Sequence, residues 1–389
     1  MKITNLSLAV IAAAGMVSVA SADVDMKIGG QAVVYYQTVE NGGDTDFFDQ
    51  GNSLANAAIQ LNANADIGNG FGLGLQGTAL NTFGLENNLV SNVMQVGGGD
   101  ISNASDYEAI TKAYLTKKIG KTTLKMGRQE LPKSLSPLAF SESWNVTKNT
   151  YDAMVAINSD IPDTTVVGAF VSRTNGNGIA NDMSTFETIG AKGAYMLTVA
   201  NKTAANFPVT LSYYSLPSTD LSAVWADAKA NNLANLPVSV ALQGGMIMND
   251  ADGADDTTGL GIKVSGKAGP ADLSVAYSTV DDGGASIDNV GTGVKTPLYT
   301  QMILNQGAIK ADNDTVVLKA STPVGPGKVI GQYGLTTDNS DAENDYNELD
   351  LIYKFKALGT NMLLAYVRAD SDAAEDPTNV IRFWTRYNF

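Results

Sequence analysis

Charged side chains close enough in the chain to act together form two kinds of cluster. One is a mixed stretch in which Arg128, Glu130, Lys133, Glu142 and Lys148 surround Trp144. Opposed charges of this sort can set a transverse field across a narrow aqueous passage, where Coulomb energies are less screened than in bulk water. They can equally be loop charges in solvent, and their spacing alone does not decide. The other kind is acidic: Asp250, Asp252, Asp255 and Asp256; Asp281, Asp282 and Asp288; Asp338, Asp341, Glu343 and Asp345; Asp370, Asp372, Glu375 and Asp376. Carboxylates in such runs invite a calcium reading, since hard cations take several oxygen ligands. The run at 249–256 lacks the third acidic position before its glycine and the closing Glu of an EF-hand loop, so no metal site is expected. Gly70-Phe71-Gly72-Leu73-Gly74 is followed by no helical pattern, and reads as turn and strand glycine rather than a phosphate cradle.

Composition removes much other chemistry. The chain has no His and no Cys, hence no Ser-His-Asp triad, thiol nucleophile, His- or Cys-ligated zinc, iron-sulfur cluster or disulfide. Catalysis is not expected, and no cofactor is implied. Asp and Glu number 40 against 25 Lys and Arg, a formal charge of −15 that repels nucleic-acid phosphates.

The elements that must position these charges show themselves from the N-terminus onward. Met1-Lys2, the apolar run Leu6 to Val19 and Ala20-Ser21-Ala22 have the three parts of a cleaved secretory signal peptide, assigned to residues 1–22. Residues 23–389 hold no apolar stretch long enough for a spanning helix. What recurs is period two, the signature of strands whose faces meet different surroundings. Leu349, Leu351, Tyr353 and Phe355 alternate with Glu348, Asp350, Lys354 and Lys356, with Ile352 as the exception. Ala57, Ile59, Leu61, Ala63 and Ala65 alternate with polar neighbours, as do Leu260, Ile262 and Val264, and Leu273, Val275 and Tyr277.

One such segment would suit a soluble sandwich. Many of them, separated by tight turns such as 67–70, 119–121, 325–327 and 358–360 in alternation with longer acidic connections, read as a single transmembrane antiparallel β-barrel over 23–389. Counting strands forward from 25–39 reaches 206–216, and counting backward from 378–389 reaches 237–249. Both inner ends would run in the same direction. A strand must therefore lie between them, and Leu221 to Asn232 is the candidate, although its composition suits a short helix. The expected total is eighteen, with sixteen as the alternative; bacterial barrels have even numbers.

The chain ends with Phe389, Tyr387, Phe383 and Ile381 on one face and Asn388, Arg386, Trp384 and Arg382 on the other. An aromatic last strand ending in Phe looks like the signal read by the barrel assembly machinery, here Tyr387 and Phe389. With Lys125-Met126-Gly127-Arg128-Gln129-Glu130-Leu131-Pro132, Pro137-Leu138, Asn149-Thr150-Tyr151-Asp152-Ala153, Tyr213-Tyr214 and Val224-Trp225-Ala226-Asp227-Ala228, the sequence resembles the Opr-type porins, eighteen-stranded outer-membrane channels. The resemblance implies a trimeric passive channel in the outer membrane, in contact with lipid and lipopolysaccharide. It also implies an inward-folding loop near 130–149 whose charges form the constriction. Members of that group that select small anions carry dense Arg ladders. Arg is sparse here, so that preference does not transfer.

Alternation places Lys263, Lys319, Lys354, Lys356, Arg382 and Arg386 on the lumen wall, opposed by Asp152, Glu348 and Asp350. For Arg382 and Arg386 a lipid-facing position would cost about 2–4 kcal/mol each at the bilayer midplane. The acidic mouth outweighs this mildly basic wall, and a weak cation preference is expected for a channel passing ions and small hydrophilic solutes. The competing reading is a non-transporting surface or adhesion protein. A barrel hydrolase would want His, and a receptor-type transporter would want a plug domain ahead of the first strand.

Overall fold

The computed structural model describes residues 25–389 apart from 44, 82–83, 86–88, 92–106, 177–182, 184, 234–235, 341 and 343. The segment read as a signal peptide lies outside the described residues. The strands, in chain order, begin with β1 Asp25–Glu40, β2 Ser53–Gly68, β3 Phe71–Asn81, β4 Tyr107–Ile119, β5 Thr122–Gln129 and β6 Tyr151–Asn158. Then come β7 Thr164–Thr174, β8 Ala194–Asn201, β9 Val209–Leu216, β10 Leu221–Ala230, β11 Val238–Asn249 and β12 Thr257–Ala268. Last are β13 Ala271–Val280, β14 Asn313–Val324, β15 Gly327–Asp338, β16 Tyr346–Ala357, β17 Thr360–Ser371 and β18 Thr378–Asn388. Each pairs antiparallel with its sequence neighbours, and β1 also pairs with β18, so the sheet closes without a free edge.

These eighteen strands are the number that parity requires. Leu221–Ala230 is β10, paired with both β9 and β11, because a helix there would leave two strand edges unsatisfied in hydrocarbon. The strand expected at 185–200 is shorter. Only Glu187–Thr188 and Ala194–Asn201 are extended, and Gly190 and Gly193, both at positive φ, turn the chain between them.

Two different media explain the alternation. Leu260, Ile262 and Val264 of β12, with Leu273, Val275 and Tyr277 of β13, point outward and are exposed, as an apolar band facing lipid must be. On β18 Tyr387 and Phe389 lie on this outer face, and Phe389 exchanges backbone hydrogen bonds with Gly30 of 2.8 and 3.1 Å. Short turns gather at one rim. The Asn69-Gly70 pair between β2 and β3 has positive φ at both residues, as two-residue hairpins demand.

The barrel interior is not empty. Residues 130–150, between β5 and β6, and 281–312, between β13 and β14, both pack inside it. Leu131, Leu138, Ile287, Leu298 and Ile309 from these loops share a buried cluster with Tyr151, Val155, Val167, Tyr214 and Trp225 of the wall. The sequence reading put Asp281, Asp282 and Asp288 together in an external acidic loop. That placement is corrected for Asp288: the 281–312 connection carries enough apolar side chains after Asp282 to bury itself.

Candidate permeation site between two inward loops

The two loops are joined by a reciprocal clasp. The Phe140 amide donates to Asn289 Oδ1 at 2.9 Å, and Asn289 Nδ2 donates back to Phe140 O at 2.8 Å. The Val290 amide donates to Leu138 O at 2.9 Å. Glu142, only 3% exposed, accepts from Trp144 Nε1 and Asn289 Nδ2 at 2.6 Å each and from the Thr292 hydroxyl. Burial first, and the Glu142 charge second, push the Asp288 carboxyl up to about 6. Lys133 reaches from one loop to Thr296 O of the other at 3.1 Å.

The loop 281–312 is also anchored to the wall. Glu348 Oε1 accepts the Ile303 and Leu304 amides at 2.9 Å each, and its Oε2 accepts the Tyr346 hydroxyl at 2.7 Å. Glu348 and Asp350 are both fully covered. They face inward, as the alternation indicated, but they do not front water, because the loop seals them off. The same cover explains Ile352, the exception in the β16 pattern: it faces inward and packs beside Ile330, Leu363 and Ile303.

Beside the loop 130–150 a cavity of ≈ 530 Å³ stays open against β1–β4, β16 and β18. Lys112, Glu130, Lys148, Lys354 and Arg386 supply its charges, and Gln31, Gln60, Asn62 and Gln76 its amides. Glu130 pairs with Lys112 at 2.5 Å and Lys148 at 2.7 Å. Burial works against its charge, but the two ammonium groups prevail and hold the carboxyl below its usual range. Arg386 donates to Gln31 Oε1 at 2.7 Å and to the Asn145 and Val146 carbonyls, tying β18 to the loop 130–150.

Such a barrel, closed and narrowed by its own loops, is an architecture with known relatives. Over residues 7–374 the sequence matches the family described as Gram-negative porin. The chain belongs to the Gram-negative porins. In fold the porin is similar to Pseudomonas aeruginosa OccK1 (OpdK), at 12% identity and a TM-score of 0.76 over 94% of this chain and 98% of that one. It is similar also to Acinetobacter baumannii OccAB3, at 13% identity and a TM-score of 0.75 over 94% and 99%. Pseudomonas aeruginosa OccK8 (OprE) gives 12% and 0.74 over 94% and 98%. At these identities the likeness carries the barrel fold and no solute. A comparison with curated proteins gave no match. The porin's place is the outer membrane.

Of the residues singled out from the porin's sequence, Glu130 and Lys148 line the open cavity, whereas Lys133 and Glu142 join the two loops to each other. Lys263, Lys319, Lys354 and Lys356 face the lumen by strand parity. Arg382 faces inward but is covered, with Nε on Gln37 Oε1 at 3.0 Å and its guanidinium 5.9 Å from the Trp144 ring.

Two assignments are reversed. Arg128 shares the outer face of β5 with Leu124 and Met126, and Asp152 shares that of β6 with Met154. Arg128 Nε meets Asp152 Oδ1 at 3.0 Å, Arg173 meets Asp152 Oδ2 at 2.6 Å, and Phe186 covers the Arg128 guanidinium at 3.4 Å. The greasy-out rule fails on β6 because its inner face, Tyr151, Ala153 and Val155, packs against the loop 130–150 rather than water. Lys112, Arg173, Asn289 and the inward fold of the 281–312 loop escaped the sequence reading. A connection that long between two strands, carrying Ile287, Leu298, Met302, Ile303, Leu304 and Ile309, was the available signal.

Proposed function

We propose that this porin is a water-filled channel for passive diffusion of ions and small hydrophilic solutes, with a preference for small anions at its constriction. The observation that carries the preference is the fate of the carboxylates. Asp152 lies outside the barrel, Glu348 and Asp350 are sealed beneath a loop, and Glu130 is already paired to Lys112 and Lys148. Lys354 and Arg386 in the cavity, Lys263 and Lys319 on the wall below and Lys356, inward by strand parity, outnumber the remaining inward carboxylate Asp227, which Lys133 faces. Acidic residues at the mouth favour cations, which is the basis of the weak cation preference read from the sequence. Their field reaches the constriction through an electrolyte with a Debye length of about 8 Å, while the wall lysines act at contact. Reversal potentials of the purified protein in a planar bilayer under a potassium chloride gradient test this. A chloride-favouring sign is expected, and a potassium-favouring sign overturns it.

A homotrimer fits the same reading. The Arg128–Asp152–Arg173 group presents polar, mutually paired side chains on an outer face that otherwise meets lipid, and a neighbouring protomer would cover them at lower cost than hydrocarbon. Tyr387 and Phe389, aromatic and outward at the end of the closing strand, are suited to capture by the barrel assembly machinery.

A further inference from the structure

We propose that the periplasmic half of the lumen wall holds a subsite for a tetrahedral oxyanion, as inorganic phosphate or a phosphate monoester. This rests on the anion-preferring reading above and goes beyond it by naming a place and a ligand class. The site is a cavity of ≈ 360 Å³ lined by Ser239, Lys263, Ser265, Lys267, Ser274 and Lys319.

Register builds it. Ser239 of β11 stands opposite Ser265 of β12, Ser265 opposite Ser274 of β13, and Ser274 opposite Lys319 of β14. Their parity is inward, since Leu242, Val264, Leu273 and Leu318 beside them are exposed on the outer face. Three hydroxyls and an ammonium therefore form one row across four adjacent strands, with neighbours about 4.8 Å apart; Ser239 at its end donates to Asn231 Oδ1 at 3.3 Å, so Ser265 and Ser274 are the hydroxyls offered to a ligand. Lys263 and Lys267 lie two residues to either side of Ser265 on the same face, about 7 Å along the strand each way. Row and column cross at Ser265, so donors converge from two directions.

That geometry discriminates between anions. A planar carboxylate offers two oxygens in one plane and can engage one arm of the cross. A tetrahedral oxyanion offers oxygens out of plane and can engage both, and hydroxyl donors add to the ammonium charges without repelling one another. The carboxylate in the same cavity, Asp272, is held by Lys328 at 2.9 Å and Lys267 at 3.6 Å. Its charge is thereby met, which leaves Lys263 and Lys319 for a ligand.

The test is chloride conductance of the intact porin in a planar bilayer with inorganic phosphate added at the periplasmic face, and acetate at equal concentration as the planar control. Phosphate is expected to reduce the current in a saturable way at concentrations where acetate does not. In the double variant Ser265→Ala/Ser274→Ala the half-inhibiting phosphate concentration should rise tenfold or more, with the reversal potential unchanged because every lysine remains. Glycerol phosphate in place of inorganic phosphate separates a monoester site from a free-ion site. An unchanged phosphate effect in the double variant, or equal inhibition by acetate, overturns the subsite and leaves the anion-preferring channel standing. Loss of chloride preference in the unmodified porin overturns the underlying reading instead.

Discussion

Replacing Glu142 with Ala should release the loop 281–312 from the loop 130–150 without unfolding the barrel. Glu142 sits in neither a strand nor a turn between strands, and its carboxylate accepts three hydrogen bonds, two of which, from Asn289 and Thr292, cross between the loops. A hydrogen bond to a charged group contributes about 1.5–3 kcal/mol net. Losing the two cross-loop bonds therefore weakens docking by about 3 kcal/mol at the lower end, roughly a 10²-fold shift in the docked equilibrium. The probe is the Val290 amide, which bonds to Leu138 O across the clasp. Its hydrogen exchange should accelerate by about that factor, while amides in β12 and β13 keep their protection. Single-channel records should show added open-channel noise as the loop explores the lumen. Unchanged exchange at Val290 together with an unaltered current record would refute the idea that Glu142 clasps the two loops.

Other expectations follow from particular groups. Because the Asp288 carboxyl is raised from 3.8 to about 6 in the docked loop, its contribution to docking is complete below its unfolded value and lost as pH rises through 6. Val290 exchange should therefore show tighter docking at pH 5 than at pH 7.5, beyond the intrinsic pH effect, and Asp288→Asn should abolish the difference. Asp152→Ala leaves Arg128 and Arg173 without their carboxylate on the outer face, and should lower barrel stability by about 1–3 kcal/mol, read from urea unfolding in lipid vesicles. Leu358 is 93% exposed and has φ of 52° in the turn between β16 and β17. Leu358→Asn should raise stability by about 1 kcal/mol by relieving left-handed strain, in the same unfolding assay. Deleting Phe389 should reduce the fraction of protein assembled in cells, measured by heat-modifiable migration, far more than it reduces refolding into detergent.

How much of this was readable beforehand depends on how local the cause is. Alternation on β12, β13 and β16 is imposed residue by residue by hydrocarbon on one side and water on the other, and strand number follows from closure and direction. The identity of β10 came from parity against its own helix-like composition. The assignments that failed lie where a third medium, packed protein, replaces water inside the barrel. Beneath the loop 130–150 the inner face of β6 is as apolar as the outer, so alternation loses its polarity and Arg128 and Asp152 were turned the wrong way.

Sequence alone thus determined a closed barrel, with eighteen strands expected and sixteen as the alternative, its turn rim and its greasy outer band, because each of these follows from contacts between a strand and the medium beside it. The tertiary structure decided which charges are covered and which line the open cavity. That choice depends on two loops, 151 residues apart from the start of one to the start of the other, folding onto each other and onto Glu348. Hydrogen bonds between such distant segments leave no periodic mark in the chain. Only the fold could show that Glu348 and Asp350, expected to balance the lysines, are covered and that Asp152 is turned outward.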